Sequence, residues 1–131
     1  MKNIFISHSW EYQEEYKTIY KWLKEELSFY DYSIPEHDNC GENLTDYELK
    51  KCIENQIKFS SIVIIIGRIA ASYSEWINFE IDTAYEMGKC IILIKPWGHE
   101  RLPDNAKRKA NYIIGWNKDS LINAVKSCDR R

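Results

Sequence analysis

The residues best suited to chemistry in this sequence are a carboxylate and an indole four positions apart, Glu80 and Trp76. On a helix, this spacing places two side chains next to each other, one turn apart. A carboxylate can stabilise the positive charge that develops on a sugar when a glycosidic bond breaks. The indole could stack on a flat base. The same spacing occurs at Trp10–Glu14 and Trp22–Glu26, where a packed aromatic beside a solvated acid is the simpler interpretation.

The residues before Trp76 distinguish this pair from the other two. Five consecutive β-branched residues, Ile62–Ile66, precede it without any polar alternation. This pattern predicts a strand that is buried on both faces in the middle of a parallel sheet. Ser72 and Glu75 have capping-box spacing and predict the start of the helix that carries Glu80. Gly88 is expected to end that helix. The carboxylate is therefore expected near the carboxyl edge of the sheet, where open α/β sheets bind ligands.

The other elements alternate between strand and helix along a chain of 131 residues. A helix is predicted over Glu11–Tyr30, and a second one begins at a capping box formed by Thr45 and Glu48. We expect one α/β domain over 1–131 with a flavodoxin-like fold: a five-stranded parallel sheet of order 2-1-3-4-5 with helices on both faces. The four remaining strands are predicted at Asn3–Ile6, Tyr32–Ile34, Cys90–Ile94 and Asn111–Gly115. A loop is expected from Pro96 to about Lys109, and a last helix is capped by Asn117 or Asp119.

This strand order brings three segments to one rim of the sheet, at the switch point between strands one and three. They are Ser7–Trp10, Gly67–Glu80 and the polar loop Pro35–Leu44. The loop carries more polar side chains than its length requires, which is typical of a binding loop, although a plain connection is an equally good interpretation. Likewise, the two serines after strand one could simply cap the first helix.

Several chemistries known on such folds are excluded by missing residues. The segment Ser7–Trp10 has no glycines with which to cradle a flavin phosphate, and strand three ends without the aspartate of a phosphate-accepting receiver domain. No GxGxxG, Walker A or HExxH motif occurs. We therefore predict neither a metal nor a cofactor. The formal net charge of −2 gives no electrostatic support for nucleic-acid binding.

Four cysteines, at positions 40, 52, 90 and 128, are widely spaced and form no CxxC pair. We expect four free thiols in a reducing cytosol. The chain leads directly into a strand at its start, and no apolar run approaches the length of a membrane span, so neither a signal peptide nor a membrane helix is predicted. These features predict a cytoplasmic protein.

Two motifs resemble those of Toll/interleukin-1 receptor (TIR) domains. They are Phe5-Ile6-Ser7-His8-Ser9 and Ser74-Glu75-Trp76-Ile77-Asn78-Phe79-Glu80. The resemblance continues through Ile34-Pro35-Glu36, Lys95-Pro96-Trp97-Gly98 and Gly115-Trp116-Asn117, and it is strongest for the bacterial TIR-like sensors of Thoeris antiphage defence. A cysteine often follows the tryptophan in the family, whereas this chain has Ile77.

The resemblance implies that the chain cleaves NAD, as substrate, at the nicotinamide–ribose bond. The ADP-ribose part would become a signalling nucleotide that acts on a separate effector protein. Self-association through TIR surfaces would also be expected. Glu80 takes the position of the family's catalytic glutamate. The expected substrate-binding residues are Phe5, Ser7, His8, Ser9, Trp10, Asp38, Asn39, Ser74, Trp76 and Asn78.

Two other functions stay open at this point. Some TIR domains are scaffolds without activity, so a non-catalytic interaction module is the main alternative. A nucleoside deoxyribosyltransferase is a third hypothesis, because that class shares both the fold and the glycosidic chemistry.

Overall fold

One parallel sheet of five strands organises the protein, in the order β2-β1-β3-β4-β5. The computed structural model describes residues 2–7, 13–33, 45–67, 74–95, 102 and 104–128. The predicted α/β class, strand order and parallel pairing are confirmed. The strands are β1 (Lys2–Ile6), β2 (Phe29–Asp31), β3 (Ile62–Ile66), β4 (Cys90–Ile94) and β5 (Tyr112–Ile114).

Helices form a layer on each face of the sheet. Helix α3 contacts α2 and α4 on one side, and α1 contacts α5 on the other. The helices described are α1 (Gln13–Glu26), α2 (Asp46–Phe59), α3 (Ser74–Glu86), α4 (Asp104–Lys109) and α5 (Lys118–Cys128). With both faces covered, every residue of β3 and β4 is buried, which explains why the two strands have no polar alternation.

Two predicted helix ends are confirmed by their hydrogen bonds. At the start of α2, the Glu48 amide donates to Thr45 Oγ1 and the Thr45 amide donates to Glu48 Oε1, each at 3.1 Å. At the end of α3, Gly88 has a positive φ of 72°. Its amide donates to the carbonyl of Tyr85, and the Lys89 amide donates to that of Ala84. This is the Schellman arrangement, for which glycine is favoured because it lacks a Cβ.

Three predicted boundaries are wrong. The first helix ends at Glu26, and β2 comprises Phe29–Asp31 rather than Tyr32–Ile34 because those earlier residues pair with the start of β1. The expected loop before β5 contains the short helix α4, whose Ala106 is buried. A six-residue helix with one buried side chain has too weak a period to be recognised in the sequence.

The expectation of four free thiols is also wrong. Cys90, the first residue of β4, is disulfide-bonded to Cys128, the last residue of α5. Cys52 is disulfide-bonded as well, and no free cysteine occurs among the residues described. The cysteines therefore give no argument for a reducing compartment.

Candidate functional site

The centre of the candidate site is a buried carboxyl group that faces the end of β1. Glu80 lies in the second turn of α3 and is 7% exposed. The hydroxyl of Ser7, itself 1% exposed, donates to Glu80 Oε1 at 3.3 Å. These two residues are 73 positions apart, and the fold brings them together because β1 and β3 are neighbours in the sheet. This is the switch point at which ligands of such folds bind.

Burial changes the acid strength of this carboxyl group. Loss of solvent raises the pKa of Glu80 from 4.5 to about 8, against the opposing effect of the Ser7 hydrogen bond. The side chain is therefore mostly protonated at neutral pH when the site is empty. A cationic ligand next to it would favour the charged form. Strongly shifted carboxyl groups at a sheet edge are typical of functional sites.

Ser7 is held in place from β3. Its backbone amide donates to the carbonyl of Ile64 at 2.9 Å, which extends the β1–β3 ladder one residue beyond the end of the strand. The Ser7 hydroxyl is thus fixed by the sheet, whereas the Glu80 carboxyl is fixed by α3. The pair joins two rigid elements, as a precise site requires.

Trp76 lies one turn before Glu80 on α3 and is half-buried. Its ring contacts Phe79 edge-on, with ring centroids 6.5 Å apart. The ammonium group of Lys50, in the second turn of α2, lies 6.0 Å from the centroid of Trp76 and 5.6 Å from that of Phe79. We call Lys50, Trp76 and Phe79 the aromatic wall. Both helices start at the carboxyl edge of the sheet, and Trp76 is the wall residue one helical turn from Glu80. The sequence prediction did not include Lys50 or Phe79.

Two of the predicted substrate-binding residues pack against other parts of the protein. Phe5 is 2% exposed and belongs to the hydrophobic core. Asn78 accepts a hydrogen bond from Asn105 at 3.2 Å, which places it toward α4. Asn105 also donates to Asp82, which pairs with Lys109 at 2.6 Å. The assignment of Phe5 and Asn78 to the substrate site stays a prediction.

Most of the other predicted substrate-binding residues lie outside the described part of the chain. Ser74 begins α3, but its side chain is outside the described part of the chain. His8, Ser9, Trp10, Asp38 and Asn39 lie outside the described residues as well, and so does the whole loop Pro35–Leu44. Their assignment to the site stays a prediction.

The described residues offer little to a metal ion. No group of three or more His, Cys, Asp or Glu side chains comes together among them. Within the same ranges, no helix has both the length and the apolar character needed to cross a bilayer. The site offers the buried carboxyl group of Glu80, the Ser7 hydroxyl bonded to it and the aromatic wall. Such a group can face a developing oxocarbenium ion or give a proton to a leaving base.

Fold and site together define a flavodoxin-like α/β domain with a buried acid at its switch point. The sequence identifies the family more closely. Residues 5–101 match the family model described as Thoeris protein ThsB, TIR-like domain. The chain belongs to this family, as its motifs predicted.

A solved structure has the same architecture. The chain is similar to the Clostridium botulinum CMP N-glycosidase BcmB with a TM-score of 0.63 and 19% sequence identity, and the match covers 95% of this chain and 98% of the other. At that identity the similarity establishes the fold. No curated protein matches the sequence.

Proposed function

We propose that this protein is a TIR-like enzyme of antiphage defence that cleaves the bond between nicotinamide and ribose in NAD. The observation that carries the proposal is the buried pair of Glu80 and Ser7 at the switch point of the sheet. Membership of the Thoeris family supports the biological setting. The structural neighbour supports the reaction class, because that protein is a CMP N-glycosidase, whose name denotes cleavage of an N-glycosidic bond in a nucleotide.

In the proposed reaction, the bond between ribose C1′ and the nicotinamide nitrogen breaks. Both electrons go to nicotinamide, which loses its positive charge and leaves as a neutral molecule. The ribose becomes an oxocarbenium ion, and the carboxylate of Glu80 stabilises its positive charge. A hydroxyl of water or of another acceptor then bonds to C1′ and releases its proton. Water gives ADP-ribose, whereas an acceptor within or beyond the nucleotide gives the cyclic or conjugated signal.

This role needs Glu80 in its charged form. Because the pKa of the empty site is about 8, binding of the cationic nicotinamide ring would drive out a proton and leave the carboxylate. The buried environment strengthens the attraction between that carboxylate and the reacting sugar, since few water molecules screen it. The Ser7 hydroxyl holds Oε1 by a hydrogen bond and so fixes the carboxylate while the charge develops.

A second candidate reaction is favoured by the same raised pKa. A neutral base such as cytosine is a poor leaving group unless it is protonated as the bond breaks. Protonated Glu80 could supply that proton as a general acid, and the similarity to a CMP N-glycosidase makes a nucleoside monophosphate the natural substrate. The two candidates need opposite protonation states of one residue. The third candidate function is a non-catalytic scaffold, in which Glu80 would have no chemical role.

The test is a substrate panel. Purified protein is incubated separately with NAD and with CMP, with and without lysate from phage-infected cells, and the products are identified by mass spectrometry. We expect nicotinamide and an ADP-ribose-derived nucleotide from NAD. Release of cytosine from CMP with NAD left intact would replace the first candidate by the second. No release from either substrate, with or without lysate, would leave the scaffold.

Trp76 in the aromatic wall and Trp22 on α1 provide a matched pair of variants. Trp76→Ala should reduce NAD cleavage by about 10-fold or more, because stacking of an aromatic on a base contributes roughly 1–3 kcal/mol. Trp22 is also half-buried, but it packs against Trp116 with ring centroids 5.3 Å apart, on the opposite face of the sheet. Trp22→Ala should therefore lower stability and leave the rate per folded molecule unchanged. Equal loss of rate in two folded variants would remove Trp76 from the site.

The remaining elements of the proposal follow the family. NAD is the substrate rather than a resident cofactor, and a separate effector protein receives the nucleotide signal. Self-association through TIR surfaces, the cytoplasmic location and the contacts of His8, Ser9, Trp10, Asp38 and Asn39 with substrate are parts of this proposal. None of them depends on nucleic acid or on a membrane.

A further inference from the structure

A chain of hydrogen bonds on the far side of β1 ends one residue before Ser7. We propose that Ser33, Tyr16 and Asp31 form a positioning device that sets the Ser7 hydroxyl against Glu80. None of the three was part of the sequence-based site. The catalytic meaning of this device rests on the proposed function, whereas its effect on the Glu80 carboxyl group does not.

The device replaces a missing part of the sheet. The β1–β2 ladder stops after the amide of Tyr32 donates to the carbonyl of Ile4 at 2.8 Å. The amide of Ile6 therefore has no strand carbonyl on the β2 side, and it donates instead to Ser33 Oγ at 2.7 Å. Ser33 is 4% exposed, so an unpaired Ile6 amide at this position would be costly. The Ser33 hydroxyl thus takes the place of a strand carbonyl and holds Ile6, the last residue of β1.

Two further residues hold Ser33. Its amide donates to Asp31 Oδ1 at 2.8 Å, which fixes the backbone as β2 ends. The phenol of Tyr16, from α1, donates to Asp31 Oδ2 and is hydrogen-bonded to Ser33. Burial, and after it the hydrogen bond to Asp31, raises the pKa of Tyr16, so the phenol stays protonated. Each donor in this chain of hydrogen bonds points toward the Asp31 carboxylate. Hydrogen bonds arranged in such a chain polarise and strengthen one another.

Ser7 is thus anchored from both neighbouring strands. Its own amide is bonded to Ile64 of β3, and the residue before it is bonded through Ser33 to β2. A shift of the Ile6–Ser7 peptide would lengthen the bond from Ser7 Oγ to Glu80, which is already 3.3 Å. Among the described residues, the network reaches Glu80 through the Ser7 hydroxyl.

Other charged groups near α3 have different partners. On α2, Lys50 lies over the rings of Trp76 and Phe79. On α4, Lys109 is paired with Asp82. The causes that shift the pKa of Glu80 are burial and the Ser7 hydroxyl, with no charged side chain of the described residues among them. A change in Ser7 is therefore the route by which Ser33 can affect Glu80.

The test is a titration of the Glu80 carboxyl carbon by ¹³C NMR, with the signal assigned by its loss in Glu80→Gln. Ser33→Ala should raise the pKa of Glu80 by about half a unit, since a weakened hydrogen bond no longer favours the charged form. Ser7→Ala should raise it as well. In the double variant Ser7→Ala/Ser33→Ala the second change should add nothing, because both act through one bond.

Ser60→Ala is the matched control. Ser60 is also buried, and its hydroxyl donates to the carbonyl of Gln56 at 2.7 Å, at the end of α2. This variant should lose stability without any change in the titration of Glu80. Tyr16→Phe, which keeps Ser33 and breaks the chain beyond it, should shift the pKa in the same direction by less. If Ser33→Ala does not fold, Tyr16→Phe decides the matter.

An unchanged Glu80 titration in folded Ser33→Ala, or in Tyr16→Phe, would overturn the proposal. Fully additive shifts of Ser7→Ala and Ser33→Ala would do so too. If NAD is cleaved, kcat/KM for Ser33→Ala at pH 7 should fall about threefold, which is the fall in carboxylate fraction that the pKa shift predicts. If the titration shifts but neither wild type nor variant cleaves NAD, the device stands and the proposed function fails.

Discussion

Replacing Glu80 by Gln should abolish nicotinamide release and at the same time stabilise the fold at alkaline pH. Glutamine keeps the shape of the side chain and can still accept the hydrogen bond from Ser7, but it carries no charge to offer an oxocarbenium ion. Loss of one well-placed electrostatic group costs about 100-fold to 1,000-fold in rate. We expect a loss of at least that size, measured as nicotinamide released per folded molecule.

The gain in stability follows from the sign of the pKa shift. The folded state holds the Glu80 proton up to about pH 8, whereas the unfolded chain releases it near the ordinary value of 4.5. The stability that this proton provides is complete below pH 4.5 and is lost as the pH rises to 8. Glu80→Gln does not titrate. Its stability relative to wild type should therefore rise by about 1.4 kcal/mol per pH unit across this window.

Urea denaturation of both proteins at pH 5, 6.5 and 8.5 measures this difference. The slope with pH is the informative quantity, because any constant cost of a buried amide cancels from it. Equal stability differences at the three pH values would show that Glu80 is not buried as an acid. A trend of the opposite sign would mean that a cationic group in the folded protein holds Glu80 ionised.

The second large effect concerns the disulfide between Cys90 and Cys128. The bridge joins the start of β4 to the end of α5 across a sequence separation of 38. Closure of a loop of that length restricts the unfolded chain by an amount equivalent to roughly 4 kcal/mol. Cys128→Ser should lower the free energy of unfolding by about that much, measured in urea without reductant.

Two controls separate the bridge from the packing of each thiol. Cys90→Ser in the Cys128→Ser background should add only the cost of placing a hydroxyl at a buried position, since the bridge is already absent. Alkylation of the unfolded, unreduced wild type should leave both cysteines unlabelled. Labelling of Cys90 and Cys128 in that experiment would contradict the bridge.

The sequence was sufficient to predict the strand order of the sheet and the position of Glu80, and both predictions rest on the same pattern. Ile62–Ile66 and Cys90–Ile94 are buried on both faces, so their composition alone reports a central position in a parallel sheet. The strand order then places the helix after β3 next to the end of β1, which is how Glu80 meets Ser7. Local patterns also gave the cap at Thr45 and the turn at Gly88.

The missed features depend on contacts between distant residues. Nothing local marks Cys90 and Cys128 as partners, because their pairing requires the end of α5 to return to β4. The same is true of Ser33, which matters because β2 ends early and leaves the Ile6 amide without a carbonyl.

The prediction for Asn78 rests on the family motif alone. Asn78 lies two positions before Glu80, which is about 200° around a helix, and its side chain accepts a hydrogen bond from Asn105. Its assignment to the substrate site stays a prediction.

The central claim is that Glu80 acts on NAD as a carboxylate, and the pH dependence of kcat/KM for nicotinamide release tests it most directly. Between pH 6 and 10, we predict a tenfold rise per pH unit that levels off near the pKa of about 8, because kcat/KM reports the ionisation of the free enzyme. Glu80→Gln should show no such rise. A wild-type rate that falls as the pH passes 8, or one that Glu80→Gln reproduces, would contradict the account.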